Sequence, residues 1–399
     1  MKIKVPQIQT LNHILPEEPL LMMGAGPVPI PQAVANANGI VINHLGETMG
    51  KIVHQIKDMA GYIFQTSSPW IVGVAGPGSA AMEMAITNLV WKNTKVLSIC
   101  NGFFSNRLAQ MAQRAGAKVE HTSIIEGKSA DPITIRKLIE EFNPEVITIV
   151  QGETSNTTYN HELVEIGKLA KEFNCYLIVD AVCTLSTMPL QMDDWHIDAV
   201  ITGGQKGLSS IPGVSLVAFS YRAWQRISNR VTQIPQWTLD AMLASNFWHQ
   251  DSYHYTAPVS GLLALHEAMR LICNETLEKR FQRHLTCSTA LQSAIESLGL
   301  ELYIEGKSRL NSVVGIRLPE QLESKAVCEH ISKNYRVEIA GSFGPPIVRI
   351  GQMGEQCRVH NLFRTIHAFG STFRDLGAKV DVPAGMAQLE NMLQKHKCI

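Results

Sequence analysis

Between residues 70 and 219 one pattern recurs, a short apolar run and then a stretch with helical periodicity. That alternation restricts the chain to a mostly parallel sheet wrapped by helices, an α/β class. The apolar runs are Trp70-Ile71-Val72-Gly73-Val74, Lys95-Val96-Leu97-Ser98-Ile99, Glu145-Val146-Ile147-Thr148-Ile149-Val150, Tyr176-Leu177-Ile178-Val179-Asp180 and Asp198-Ala199-Val200-Ile201. Helical stretches lie at Ala80 to Trp91, Ser105 to Ala115 and Leu163 to Phe173, and Val214 to Phe219 is the run expected to return antiparallel. With 399 residues, 45% of them hydrophobic, the chain exceeds one small core and can bury a large one. The expected organisation is an N-terminal arm over 1–20, a large α/β domain over 21–280 and a smaller α+β domain over 281–399. The last is expected to hold a long helix at Leu277 to Leu298, strands near Val313 to Leu318 and Ile347 to Ile350, and helices at Leu322 to Tyr335 and Gln356 to Phe369. The arm is polar, contains prolines and shows no long period, which suggests that it lies on a partner subunit.

Lys+Arg and Asp+Glu number 35 each, so the formal net charge is zero and no basic block marks a nucleic-acid surface. Small-molecule partners are the expectation. The eight cysteines, Cys100, Cys175, Cys183, Cys273, Cys287, Cys328, Cys357 and Cys398, include no CxxC pair and no zinc-type spacing. They read as reduced thiols, with no metal site expected. No signal-peptide region follows Met1-Lys2-Ile3-Lys4-Val5-Pro6, and no apolar run reaches the roughly 18 residues that cross a membrane. A cytoplasmic location is expected, and Lys397-Cys398-Ile399 is not a peroxisomal Ser-Lys-Leu address.

Within this frame Lys206 stands in Thr202-Gly203-Gly204-Gln205-Lys206-Gly207, just after an apolar run, and Asp180 ends the run before it. An aldehyde cofactor needs an amine to hold it as a Schiff base and a carboxylate to keep its pyridine nitrogen protonated. Lys206 and Asp180 supply both, which points to pyridoxal 5'-phosphate. Taken singly, each is also compatible with an ordinary surface lysine or a turn-capping aspartate.

Val74-Ala75-Gly76-Pro77-Gly78-Ser79-Ala80-Ala81-Met82-Glu83 joins a strand to a helix through a glycine turn, and the helix N-terminus there suits a phosphate. Gly76, Gly78 and Ala81 also satisfy a GxGxxA dinucleotide fingerprint, but the next strand ends in Asn101-Gly102 instead of an acidic residue for the ribose. A turn that serves only the fold is the third reading. Phe103 and Phe104 follow that strand, where an aromatic could stack on a pyridine ring or fill the core. Thr154 lies in Gln151-Gly152-Glu153-Thr154-Ser155-Asn156, placed to contact cofactor or substrate unless the segment is a solvated loop.

Several of these segments in register resemble the class V, fold-type I pyridoxal phosphate-dependent aminotransferases, in particular the alanine-glyoxylate and serine-glyoxylate (serine-pyruvate) group. The resemblance rests on Gly24-Ala25-Gly26-Pro27, Gly76 to Glu83, Asn101-Gly102, Gly152-Glu153-Thr154, Val179-Asp180-Ala181-Val182, Gly204-Gln205-Lys206-Gly207, Tyr253-His254-Tyr255-Thr256-Ala257-Pro258 and Val348-Arg349-Ile350-Gly351. It implies a large domain with a mostly parallel seven-stranded sheet, and a ping-pong exchange between alanine or serine and glyoxylate or pyruvate. It further implies that Lys206 holds the cofactor and moves the proton and that Asp180 pairs with the ring nitrogen. Gly78, Ser79, Ala80, Gln205, Phe104, Thr154 and Val182 would complete the cofactor site. Tyr253 and Thr256 would reach the phosphate from a neighbouring subunit, implying a homodimer with shared active sites. Arg349, with the Gly26 backbone and Thr154, would bind the substrate carboxylate. Phe104 stands where relatives often have Trp, and Ser79 where some have His. Pyridoxamine-pyruvate aminotransferases share the pattern at Arg349-Ile350-Gly351-Gln352-Met353-Gly354, so that reaction stays an alternative, as do a lyase of the same class and a nicotinamide-dependent dehydrogenase.

Overall fold

A computed structural model describes residues 3–122 and 124–396. Met1 and Lys2 of the expected arm, and Cys398 with its neighbours Lys397 and Ile399, lie outside the described residues. Seven strands form the main sheet: β1 (Ile71–Ala75), β2 (Lys95–Ser98), β3 (Lys118–His121), β4 (Val146–Val150), β5 (Tyr176–Asp180), β6 (Ala199–Ile201) and β7 (Val214–Phe219). Their spatial order is β1-β7-β6-β5-β4-β2-β3. Only β7 runs against the rest, pairing antiparallel with both β1 and β6, while β6 to β3 pair in parallel. Helices cover both faces, so β4, β6 and β7 are buried along their whole length and read as continuous apolar runs.

The order reverses between β4 and β2, and the C-terminal strand ends open a crevice of the kind that binds ligands in doubly wound folds. β5 ends on Asp180, β6 leads to Lys206, β4 leads to Thr154, β1 leads to the helix Gly78–Leu89 and β2 leads to the helix Phe103–Arg114. The polar residues singled out in the sequence thus follow from strand polarity alone.

A second core gathers Val314, Ile316, Val348, Ile350 and Phe369, and a three-stranded antiparallel sheet of Val313–Arg317, Ile347–Gly351 and Ala340–Gly341 lies against it. The helix Leu277–Ser297 spans the two cores, with Leu277 in the first and Cys287, Ala290 and Leu291 in the second. A boundary near residue 280 falls inside this helix.

The N-terminal segment has two characters. Residues 3–19 are exposed, including Ile3, Val5, Ile8 and Leu11. From Leu21 onward the chain enters the second core: Leu21 and Met22 pair in parallel with Val337 and Glu338, and Met23 is fully buried. The Met23 carbonyl accepts from the Gly351 amide at 2.7 Å, and Gln356 Nε2 donates to the carbonyls of Met22 and Gly24. A few residues on, Val28 N–H donates to the Gln205 carbonyl at 3.1 Å. Residues 21–28 therefore connect the second core to the Lys206 turn.

Candidate active site

One cavity at the strand ends is lined by Gly78, Ser79, Phe104, Arg107, Thr154, Asp180, Val182, Cys183, Gln205 and Lys206, among others. Eight residues expected from the sequence meet there. Gly26 adjoins it: its φ is +103°, and a Cβ at that position would lie 2.6 Å from Lys206 Nζ, so both conformation and space require glycine. Lys206 Nζ donates to the Ala25 carbonyl next door. Burial lowers the pKa of this amine, with the Arg349 charge acting in the same direction.

Asp180 is buried at the end of β5, where Val182 N–H donates to Oδ1 at 2.8 Å. Desolvation pushes the carboxyl from its ordinary 3.8 up to about 7, against the lowering effect of that hydrogen bond. Because the folded value lies above the unfolded one, the stability tied to this group is full below the ordinary value and is lost as pH rises through about 7. In the protein without ligand we expect Tm to fall across this interval more steeply than in Asp180→Asn, as followed by thermal melts at a series of pH values. Parallel profiles for the two proteins would refute the shift.

Arg349 is 4% exposed on the strand Ile347–Gly351; Nε donates to the Gly341 carbonyl at 2.7 Å and Nη1 to the Thr154 carbonyl at 2.5 Å. The second contact brings the guanidinium to the cavity wall that Thr154 forms. Burial lowers it to about 10, which leaves it cationic at neutral pH. The Phe343 ring lies over it, 5.4 Å from guanidinium carbon to ring centroid.

Three expected residues stand apart from this wall. Ala80 N–H is engaged by the Pro77 carbonyl at 2.8 Å, and the residue does not line the cavity. Tyr253, 56% exposed, and Thr256, also exposed, lie on the surface and do not line the chain's own cavity.

Three further residues were not singled out from sequence. Arg107 donates to Ser79 Oγ at 3.0 Å and packs over both Phe103 and Phe104, at 5.1 and 5.0 Å. The signal was available, because Phe104 and Arg107 are three residues apart on one helix and share a face. Cys183 lines the cavity, but burial holds its thiol up to about 12, so it stays protonated and is a poor nucleophile. Glu153 is wholly buried beneath the N-terminus of the helix Phe103–Arg114; it accepts from Phe104 N–H at 3.3 Å, Ser105 N–H at 2.9 Å and Ser155 Oγ at 2.6 Å. An anion there satisfies free amides and the helix dipole while fixing where the Phe104 ring enters the cavity. A Cβ at Gly102 would come within 2.3 Å of Glu153 Cγ. Gly102→Ala is accordingly expected to cost about 1–3 kcal/mol of stability by overpacking, read by urea unfolding; an unchanged midpoint would show that Glu153 moves freely.

The pattern of the family described as aminotransferase class-V matches residues 32–359, most of the chain. The chain belongs to the class V aminotransferases. This class V aminotransferase is 32% identical over 391 residues to the alanine–glyoxylate aminotransferase of Drosophila melanogaster, covering 95% of this chain and 99% of that protein. Among solved structures, the alanine–glyoxylate aminotransferase of Nostoc sp. superposes with a TM-score of 0.87 at 32% identity, covering 92% of this chain and all of that one. The ureidoglycine–glyoxylate aminotransferase of Bacillus subtilis superposes at 0.92 with 28% identity, covering 95% and 99% of the two chains. The α/β fold expected of this class V aminotransferase is thus the one observed, and the dehydrogenase alternative is set aside. No helix among its described residues is long and apolar enough to cross a membrane.

Proposed function

We propose that this enzyme transfers the amino group of a small L-amino acid, alanine or serine, to glyoxylate or pyruvate with pyridoxal 5'-phosphate, acting as a cytoplasmic homodimer. The observation that carries the reading is a part-buried amine and a buried carboxyl lining one cavity, Lys206 and Asp180, with the buried guanidinium of Arg349 hydrogen-bonded to the Thr154 carbonyl at its wall. The residues also fit the group chemically. Gln205 Oε1, on a residue lining the cavity, is buried without a hydrogen-bond partner, an arrangement that a polar ligand would relieve.

Ser79 and the N-terminal turn at Gly78, with Gln205, would hold the phosphate; Phe104 and Val182 would face the ring, Asp180 its nitrogen, and Lys206 the aldehyde carbon. When bound, the cofactor supplies an electron sink for charge released at the substrate Cα. Asp180 serves that sink by ionising against the ring nitrogen, which a carboxyl raised to about 7 by burial does once a cation is beside it. Arg349 binds the substrate carboxylate through its fork and so orients the Cα–H bond. Burial lowers the pKa of Lys206, which favours the neutral amine that takes that proton. Exposure of Tyr253 and Thr256 supports a partner subunit that uses them across the interface. Free cysteines at seven described positions, most of them buried, support a reducing compartment.

The test is the visible absorption of the purified protein before and after L-alanine, L-serine or pyridoxamine is added. A yellow band bleached by alanine or serine and restored by glyoxylate or pyruvate is expected. Bleaching by pyridoxamine alone would replace the donor, and no band after pyridoxal phosphate is supplied would overturn the reading.

A further inference from the structure

Two turns must hold a fixed spacing for Asp180 and Lys206 to act on one ligand, the 181–188 segment that follows Asp180 and the 203–210 segment that carries Lys206. Each contains a serine in the left-handed region, Ser186 at φ 69° and Ser209 at φ 58°. Residues with a Cβ adopt that conformation only when their surroundings hold them in it. The Ser186 hydroxyl donates to the Gly207 carbonyl at 2.7 Å, joining the turns directly.

One guanidinium reaches across both. Arg280, in the first turn of the helix Leu277–Ser297, is 4% exposed. Its Nε donates to the Ser186 carbonyl and hydroxyl at 3.1 and 3.2 Å. Its Nη2 donates to the Gly207 carbonyl at 3.0 Å and Ser209 Oγ at 3.1 Å, and Nη1 pairs with Glu275 at 3.0 Å. The next residues on this helix extend the grip toward the Arg349 strand. Arg283 donates to the carbonyls of Gly354 and Cys357 at 2.8 and 2.9 Å, and His284 Nε2 accepts from Gly354 N–H at 2.9 Å. Burial holds His284 well below its ordinary value, in keeping with a neutral ring that accepts there.

We propose that Arg280 is a positioning residue for transamination, its planar fork setting the spacing of the Asp180 and Lys206 turns. The inference rests on the proposed function for what those turns carry; the clamp itself is geometric. A lysine would bring charge without the fork and could not engage both serines at once.

Arg280→Met is tested in the full-length protein by two readouts, with the exposed Arg270→Met as control. Amide hydrogen exchange, measured without substrate, is expected to speed up in 181–188 and 203–210 and to stay unchanged in the distant strand Lys95–Ser98. In steady state kcat is expected to fall by roughly 10- to 100-fold, with KM for the amino donor much less affected, as for a reacting group held about an ångström out of place. Wild-type exchange in both turns, or wild-type kcat, overturns the proposal, as does a loss confined to Tm. Where Arg280→Met does not fold, Ser209→Gly keeps the left-handed backbone and removes one acceptor; it should lower kcat several-fold, and an unaltered kcat overturns the clamp. A wild-type protein with no transamination would defeat the proposed function and leave the exchange result to judge the clamp.

Discussion

Lys206→Ala is expected to lower kcat by at least about 10,000-fold, because it removes both the holding amine and the group that moves the proton. The fold should persist. The side chain contributes one hydrogen bond, to the Ala25 carbonyl, whose loss costs about 1–3 kcal/mol at most, a modest change for a chain with two large apolar cores. Steady-state transamination and a thermal melt on the same preparation separate the two effects. Retained turnover by a folded variant would remove Lys206 from the reaction.

Arg349→Ala is expected to reduce kcat/KM for carboxylate substrates by roughly 30- to 1,000-fold, equivalent to about 2–4 kcal/mol, mainly through KM. Two costs combine. The substrate loses a charged fork in a buried setting, and the carbonyls of Thr154 and Gly341 lose the donor that aligns them. Arg349→Lys should recover only part of the loss, since an ammonium reaches neither carbonyl with the same geometry. An unchanged KM in Arg349→Ala would exclude the residue from substrate binding.

What the sequence revealed depended on how locally each feature is determined. The strands Tyr176–Asp180 and Val214–Phe219 have the expected bounds, because apolar runs between turn residues carry their own signal. The helices Glu47–Phe64 and Val382–Lys395 were passed over; the first is interrupted by Gly50, His54 and Gly61, and the second opens with a proline at its second position. In the site, Asp180 and Lys206 were legible because one ends a strand and the other follows the next, whereas Gln205 came only through resemblance. Glu153 and Arg280 were not, because their roles come from partners 48 and 94 positions away. No pattern of neighbouring residues encodes such contacts. Tyr253 and Thr256 were noted only through resemblance, and on the single chain they face outward.

The segment 21–28 bears on the order in which the molecule can be completed. It precedes the sheet in the chain, yet most of its partners, Val337, Glu338, Gly351 and Gln356, follow more than 300 positions later. The sheet bearing Asp180 and Lys206 can assemble while synthesis continues, but the wall formed by Ala25 and Gly26 must wait until the Arg349 strand has emerged. A chain terminated before that strand would keep the main sheet but lose the partners that hold residues 21–24, so truncated forms are expected to be inactive.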